Sequence, residues 1–306
     1  MMRLLSLLVW LAFAISATAL ITDGSDGQVL ETNTSSIVKR SGRPVCGPNL
    51  APENTSKRSV GFIYFDRNVT ALSKRMVLPG DSMAAFYVSQ LPLVTKKLIP
   101  RDKASVSQYL SNAWPAQWSR LRAGLQWSTG TDGLSGCTTL YIISRTGVYA
   151  AHYFENVSFE PDPFWRTGDH TTNDQLFQYT VIDVLRNGGR YHPRLNAARI
   201  EDDTIRAYLI YPAQTSKESA DDVGYSVRNE QIRTTVGEIV PTLQDGSRWT
   251  NIPYQATDSQ ALLFDPEKTL GKNLFKYDPA HDFGGGQKKH LAALWVEDER
   301  VHWDYW

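Results

Sequence analysis

Two apolar, strand-like runs lie near the middle of the chain, Thr138 to Ser144 and Val148 to Phe159. Both are rich in β-branched and aromatic residues and are bounded by turn residues, which predicts strands. A three-residue turn at Arg145-Thr146-Gly147, with the glycine left-handed, would join them as a hairpin. Upstream, Ala104 to Ala123 reads as a helix. Leu110, Trp114, Trp118, Leu121 and Leu125 recur there at helical spacing across a break at Pro115, and Ser105 or Ser107 can cap it. Asn173-Asp174 opens another helix, with Leu176, Phe177, Val181, Val184 and Leu185 on its apolar side and Gly188-Gly189 ending it. Thr204 to Tyr211 alternates as a strand and stops at Pro212, while Val227 to Val240 fits helix or strand.

Ala261 to Phe264 also reads as a strand, and Leu291 to Val296 with Arg300 to Trp306 reads as a hairpin around Glu297-Asp-Glu. Order is expected to begin at the strand-like Val60-Gly-Phe-Ile-Tyr-Phe. Strands scattered among two or three helices predict an α+β fold with a mixed or antiparallel sheet core, not a repeating βαβ series. Phe283-Gly-Gly-Gly-Gln lacks the Lys-Ser/Thr step of a phosphate loop and reads as a turn.

The N-terminal region reads differently. Residues 2–19 carry Arg3, an apolar stretch from Leu4 to Ile15 and the small-x-small step Ala17-Thr18-Ala19, the layout of a secretory signal peptide. Lys39-Arg40 has the form of a dibasic processing site. The expected organisation is a signal peptide over 1–19, a propeptide over 20–40, a flexible linker over 41–58 and one catalytic α+β domain over 59–306. No later run approaches the roughly 18 apolar residues that a spanning helix needs, so a secreted protein without a membrane span is expected. Sequons at Asn33, Asn54, Asn68 and Asn156 fit that route and suggest a glycoprotein. The 32 Lys and Arg balance the 32 Asp and Glu, so no overall field favours a nucleic-acid partner.

The sequence holds two cysteines, Cys46 and Cys137. An oxidising compartment favours a Cys46–Cys137 disulfide. The other reading keeps Cys137 free for chemistry. It sits at the end of Thr131-Asp-Gly-Leu-Ser-Gly-Cys137, with His152 on the following strand. A thiol becomes a useful nucleophile as thiolate, and a nearby imidazole can take its proton. Ser135 and Gly136 can present backbone N–H donors to an oxyanion, and Thr131 is a candidate to orient the imidazole. With a three-residue turn, however, His152 would pair near Leu140 and face away from Cys137. The dyad would then need Cys137 to lie just before the strand, or a bulge beside it.

Leu134-Ser135-Gly136-Cys137 with His152 resembles the catalytic signature of the glutamine deamidase toxins, the cytotoxic necrotizing factor catalytic domain and the Burkholderia lethal factor. Thr131, six residues before the cysteine, matches a threonine of the latter, and the likeness covers about residues 131 to 155. The resemblance implies a β-sandwich-like core flanked by helices, with Cys137 as nucleophile on a glutamine carboxamide, His152 as its base and acid, and Thr131 orienting the ring. It implies a glutamine-containing protein as substrate and no metal or organic cofactor. Transglutamination uses the same acyl-enzyme with an amine in place of water. The relatives act inside target cells, so delivery of this chain as an effector or toxin stays open. Two alternatives remain at this point: a non-enzymatic secreted interaction protein with a Cys46–Cys137 disulfide, and a latent enzyme blocked by its N-terminal segment.

Overall fold

Two five-stranded sheets lie face to face, each with helices on its outer side. The computed structural model describes residues 76–98, 111–166, 168–214, 225–257 and 265–306, all within the compact unit Lys39–Trp306. The first sheet has the order β1 (Lys96–Lys97), β3 (Trp127–Thr131), β8 (Asn273–Asp282), β9 (Lys288–Val296) and β10 (Glu299–Tyr305). The second runs β2 (Ser111–Gln117), β5 (Gly147–Tyr153), β4 (Thr138–Ile143), β6 (Arg206–Pro212) and β7 (Trp249–Tyr254). The pairs β1–β3 and β6–β7 are parallel, and the others are antiparallel. The fold is therefore α+β, with mixed sheets and, among the described residues, no closed barrel.

The layers follow from strand alternation. One set of side chains, including Tyr141, Ile143, Val148, Ala150 and Ile210, meets Phe275, Tyr277, Ala292 and Leu294 of the opposite sheet. The alternate set, Leu140, Ile142, Tyr149 and Ala151, packs under Phe177, Val181, Leu185, Ile232 and Val236. These helical residues come from α2, the segment Asn173–Asn187, and from α3 (Ser226–Ile239). On the far side, Leu274, Leu291 and Trp295 pack on Phe86 and Tyr87 of α1 (Met83–Gln90). Strands β4 and β5 are buried at every position, which explains why they read as nearly continuous apolar runs.

Several expectations match the structure. The helix from Asn173 starts at a Thr172 capping box, passes through a π-type turn at Gln178–Ile182, and ends at Gly188 with φ 80°. The ambiguous segment at 227–240 is helix α3. The β9–β10 hairpin turns where expected, with Glu297 at φ 51°. Gly284, Gly285 and Gly286 all have positive φ in the turn between β8 and β9.

From Ser111 the helix expected over 104–123 is replaced by strand β2, and residues 99–110 lie outside the described residues. Pro115 decides between the two. Inside a helix a proline costs ~3 kcal/mol, whereas on an edge strand its missing N–H loses no ladder bond, and β2 is an edge. The run from Val148 also stops early, because β5 ends at Tyr153 and Glu155–Phe159 forms a π-type helical turn. The strands expected at Val60 and Ala261 lie outside the described residues, as do the signal, propeptide and linker segments. No helix among the described residues is long and apolar enough to cross a membrane.

Candidate active site

The β4–β5 hairpin fixes the geometry of the motif. Its turn has two residues, Arg145 and Thr146, closed by Ser144 N–H donating to the Gly147 carbonyl at 2.9 Å. Ser144 Oγ also accepts from the Thr146 and Gly147 amides, each at 3.1 Å. Gly147 is thus the first residue of β5 and not a left-handed turn residue, correcting the three-residue turn. A Cβ there would lie 2.4 Å from the Ala116 carbonyl oxygen, so glycine is needed for close strand approach. The shorter turn moves the register by one residue, and His152 pairs with Thr139, not Leu140. A one-residue slip reverses every facing. Cys137 lies just before β4 and two positions from Thr139, so it shares the inner face with His152.

The loop leading to Cys137 is tied down at successive residues. Leu134 N–H donates to the Gly271 carbonyl at 2.9 Å, and Ser135 Oγ donates to the Thr257 carbonyl. Gly136 has φ 112°, a conformation that side chains disfavour. Its N–H donates to Tyr254 Oη at 2.6 Å, and that hydroxyl donates to the Cys137 carbonyl at 2.8 Å. Tyr254 therefore clamps the Gly-Cys peptide from β7. In this state the Gly136 N–H, expected to serve an oxyanion, is engaged by the clamp.

Cys137 is fully buried and disulfide-bonded, so in this state its sulfur is not a nucleophile. This corrects the expectation of a free thiol and agrees with the pairing expected in an oxidising compartment. The chain's other cysteine, Cys46, lies outside the described residues. His152 is also fully buried. It packs edge-on against Phe154 with ring centroids 4.5 Å apart. Burial drives its pKa down to about 3, so the ring is neutral over the ordinary pH range. Neither ring nitrogen has a hydrogen-bond partner among the described residues.

Thr131 lies in β3, on the other sheet, where it pairs with Asn273. Its hydroxyl accepts from Gly133 N–H at 3.4 Å, and no hydrogen bond joins it to His152. The structure thus brings Cys137 and His152 to one face but does not place Thr131 on the imidazole.

Sequence reasoning missed three neighbours on the same face. Asn112 pairs directly with His152 from β2. Thr139 pairs with it from β4. Tyr141, the next inward residue of β4, donates to Asn273 Oδ1 at 2.5 Å. Asn112 was hidden by the helical reading of its segment; a strand reading would have placed it in register.

Two other histidines are buried as well. His192 is buried beside Tyr149, 3.2 Å from its hydroxyl, and His281 is buried 3.7 Å from Asp278. The Asn156 amide, a sequon position, is buried and donates to Asp162 Oδ2 at 2.9 Å. A glycan there is incompatible with this packing. A cleft of about 330 Å³ lined by Arg120, Arg194, Arg199 and Trp127 opens at Val148 and Tyr149, the opposite end of β5 from His152. Among the described residues no group of three or more His, Cys, Asp or Glu is placed to hold a metal ion.

No family model and no curated protein matches the sequence. Among solved structures, the chain is similar to the C-terminal domain of CNFy from Yersinia pseudotuberculosis, at a TM-score of 0.29 and 10% identity. That similarity covers 64% of this chain and 59% of the other, so this chain spans less than two thirds of it.

Proposed function

We propose that this chain is the latent form of a secreted, cysteine-dependent hydrolase acting on glutamine carboxamides of a protein substrate. The observation that carries this reading is the shared facing of Cys137 and His152, with neither imidazole nitrogen partnered among the described residues. A buried imidazole with no partner costs stability, and such groups collect where chemistry uses them.

The disulfide is taken to join Cys137 to Cys46 and to hold the nucleophile inactive. Two equivalents of a thiol reductant convert it to two thiols and themselves become a disulfide. In the active state the site opens to substrate and relieves the burial that lowers the His152 pKa; Cys137 then gives its proton to His152, and the thiolate attacks the carboxamide carbon. His152 returns the proton to the departing nitrogen, and ammonia leaves a thioester. Water hydrolyses the thioester to glutamate and restores the thiol. An amine in place of water gives transglutamination. Secretion by the N-terminal signal, processing at Lys39-Arg40 and a single catalytic domain from residue 59 complete the reading.

A second reading is favoured by the disulfide itself: a secreted interaction protein in which Cys137 is a structural cross-link. One experiment separates them. Purified protein, with and without prior reduction, is assayed for ammonia release from benzyloxycarbonyl-Gln-Gly and from glutamine-containing proteins, beside Cys137→Ser. Release that requires reduction and is lost in Cys137→Ser supports the hydrolase. No release after reduction, with the fold retained by circular dichroism, supports the cross-linked binding protein.

A further inference from the structure

Asn112, His152 and Thr139 form one row across β2, β5 and β4, and all three are fully buried. Every polar side-chain atom in this row lacks a hydrogen-bond partner among the described residues: Asn112 Nδ2 and Oδ1, His152 Nδ1 and Nε2, and Thr139 Oγ1. Buried polar groups are normally satisfied, so such a concentration on three paired residues marks a site whose hydrogen bonds form in another state. Directly paired residues have Cβ atoms about 4.5–5.5 Å apart, within reach of a hydrogen bond after a side-chain rotation.

The position of Asn112 is specific. Strand β5 lies between β2 and β4, so Asn112 stands on the side of His152 away from Cys137. An imidazole has two nitrogens on different edges, and a partner held by one leaves the other for proton transfer. A carboxamide oxygen accepts the ring N–H without adding charge to a dry layer, where an unpaired carboxylate would be costly. Thr131 is engaged on the opposite sheet and leaves this role open.

We propose that Asn112 is the positioning residue of the site: in the active state its Oδ1 accepts one N–H of His152 and turns the other nitrogen towards Cys137. This inference rests on the hydrolase reading for its purpose, but its geometry can be tested without turnover. The full chain, reduced with a phosphine and labelled with ¹⁵N-histidine, is measured by long-range ¹H–¹⁵N spectra, with the His152 signals assigned through His152→Gln. The expected result is one fixed tautomer in the parent, a mixture of tautomers in Asn112→Ala and a restored single tautomer in Asn112→Asp. If Asn112→Ala does not fold, Asn112→Leu, similar in volume and without an acceptor, replaces it. An unchanged His152 tautomer in a folded variant lacking the amide overturns the proposal.

The kinetic arm uses benzyloxycarbonyl-Gln-Gly. Asn112→Ala is expected to lose about ten- to a hundredfold in kcat, with KM changed less than about twofold and the acid limb of the pH profile displaced. A folded variant with unchanged kcat and pH profile overturns the proposal. A tautomer fixed by Asn112 in a reduced protein that releases no ammonia supports the positioning contact and removes the hydrolase reading.

Discussion

Thr139 stands directly opposite His152 across β4 and β5, and this single pairing decides that His152 looks towards Cys137. At the hairpin end of β5, strand β2 approaches closely on the other side. A Cβ on Gly147 would meet the Ala116 carbonyl oxygen at 2.4 Å, on backbone that cannot rotate away. Gly147→Ala is therefore expected to cost about 1–3 kcal/mol, by overpacking. Gly80→Ala, with nothing within 4 Å of the added carbon, should stay within about 0.5 kcal/mol. Urea unfolding of the two variants checks this, and equal midpoints would show that β2 yields freely.

Acid should destabilise the fold through two buried histidines, His152 and His192, and the partly buried His302. Burial lowers the pKa of His152 and of His192 to about 3, and that of His302 to about 4, from 6.5. Between these values and 6.5 the unfolded chain binds more protons than the folded one, so stability rises with pH through this window. It is fully present above the unfolded pKa and is lost as pH falls. Each such histidine contributes a slope of up to about 1.4 kcal/mol per pH unit. Urea unfolding from pH 7.5 down to 4.5 should show the loss, and His152→Gln should flatten the slope. A pH-independent midpoint over that range would contradict the burial of these rings.

Much of the core was legible in sequence because it obeys one period at a time. Strands β4, β5, β6 and β9 are apolar on both faces or cleanly alternating, and the helix from Asn173 carries its own start and stop signals. Strand β8 was missed because its buried faces include Asn273, Lys276 and Asp278, which break the apolar pattern; Lys276 Nζ donates to Gln90 Oε1 and to the Val77 carbonyl. Strand β2 was missed because Trp114 and Trp118 fall at helical spacing while only Pro115 argues otherwise. The candidate site was half legible. Cys137 and His152 stand out by chemistry, but their facing depended on one turn residue, and Asn112 is an ordinary asparagine until its partner strand is known.

A phenol bridges the Gly136 N–H and the Cys137 carbonyl. Tyr254 Oη accepts from Gly136 N–H and donates to the Cys137 carbonyl, and Tyr254 is nearly fully buried. Tyr254→Phe keeps the ring and removes both bonds, leaving two backbone groups unsatisfied at an expected cost of about 1–3 kcal/mol. The Gly136 amide hydrogen, released from the phenol, should exchange faster. Hydrogen exchange resolved to residues 134–138 checks this, and unchanged protection of Gly136 would mean that another group holds the step.

The disulfide on Cys137 can be a staple or a latch, and the two differ in energy as well as chemistry. A cross-link between Cys46 and Cys137 closes a loop of about 90 residues, and a bond that only restrains the unfolded chain over such a loop is worth ~4–5 kcal/mol. As a staple, its reduction should lower the unfolding midpoint by that amount and leave Cys137 as inert to iodoacetamide as any buried thiol. As a latch, reduction should cost less, because hydrogen bonds formed along the Asn112, His152 and Thr139 row in the active state would offset part of the lost cross-link. The released thiol should then alkylate faster than in His152→Gln at neutral pH, since a neighbouring imidazole favours the thiolate. Paired unfolding curves and alkylation rates, before and after reduction, distinguish the two. A large stability loss with no gain in Cys137 reactivity would leave the cysteine as a structural cross-link and the hydrolase reading without its nucleophile.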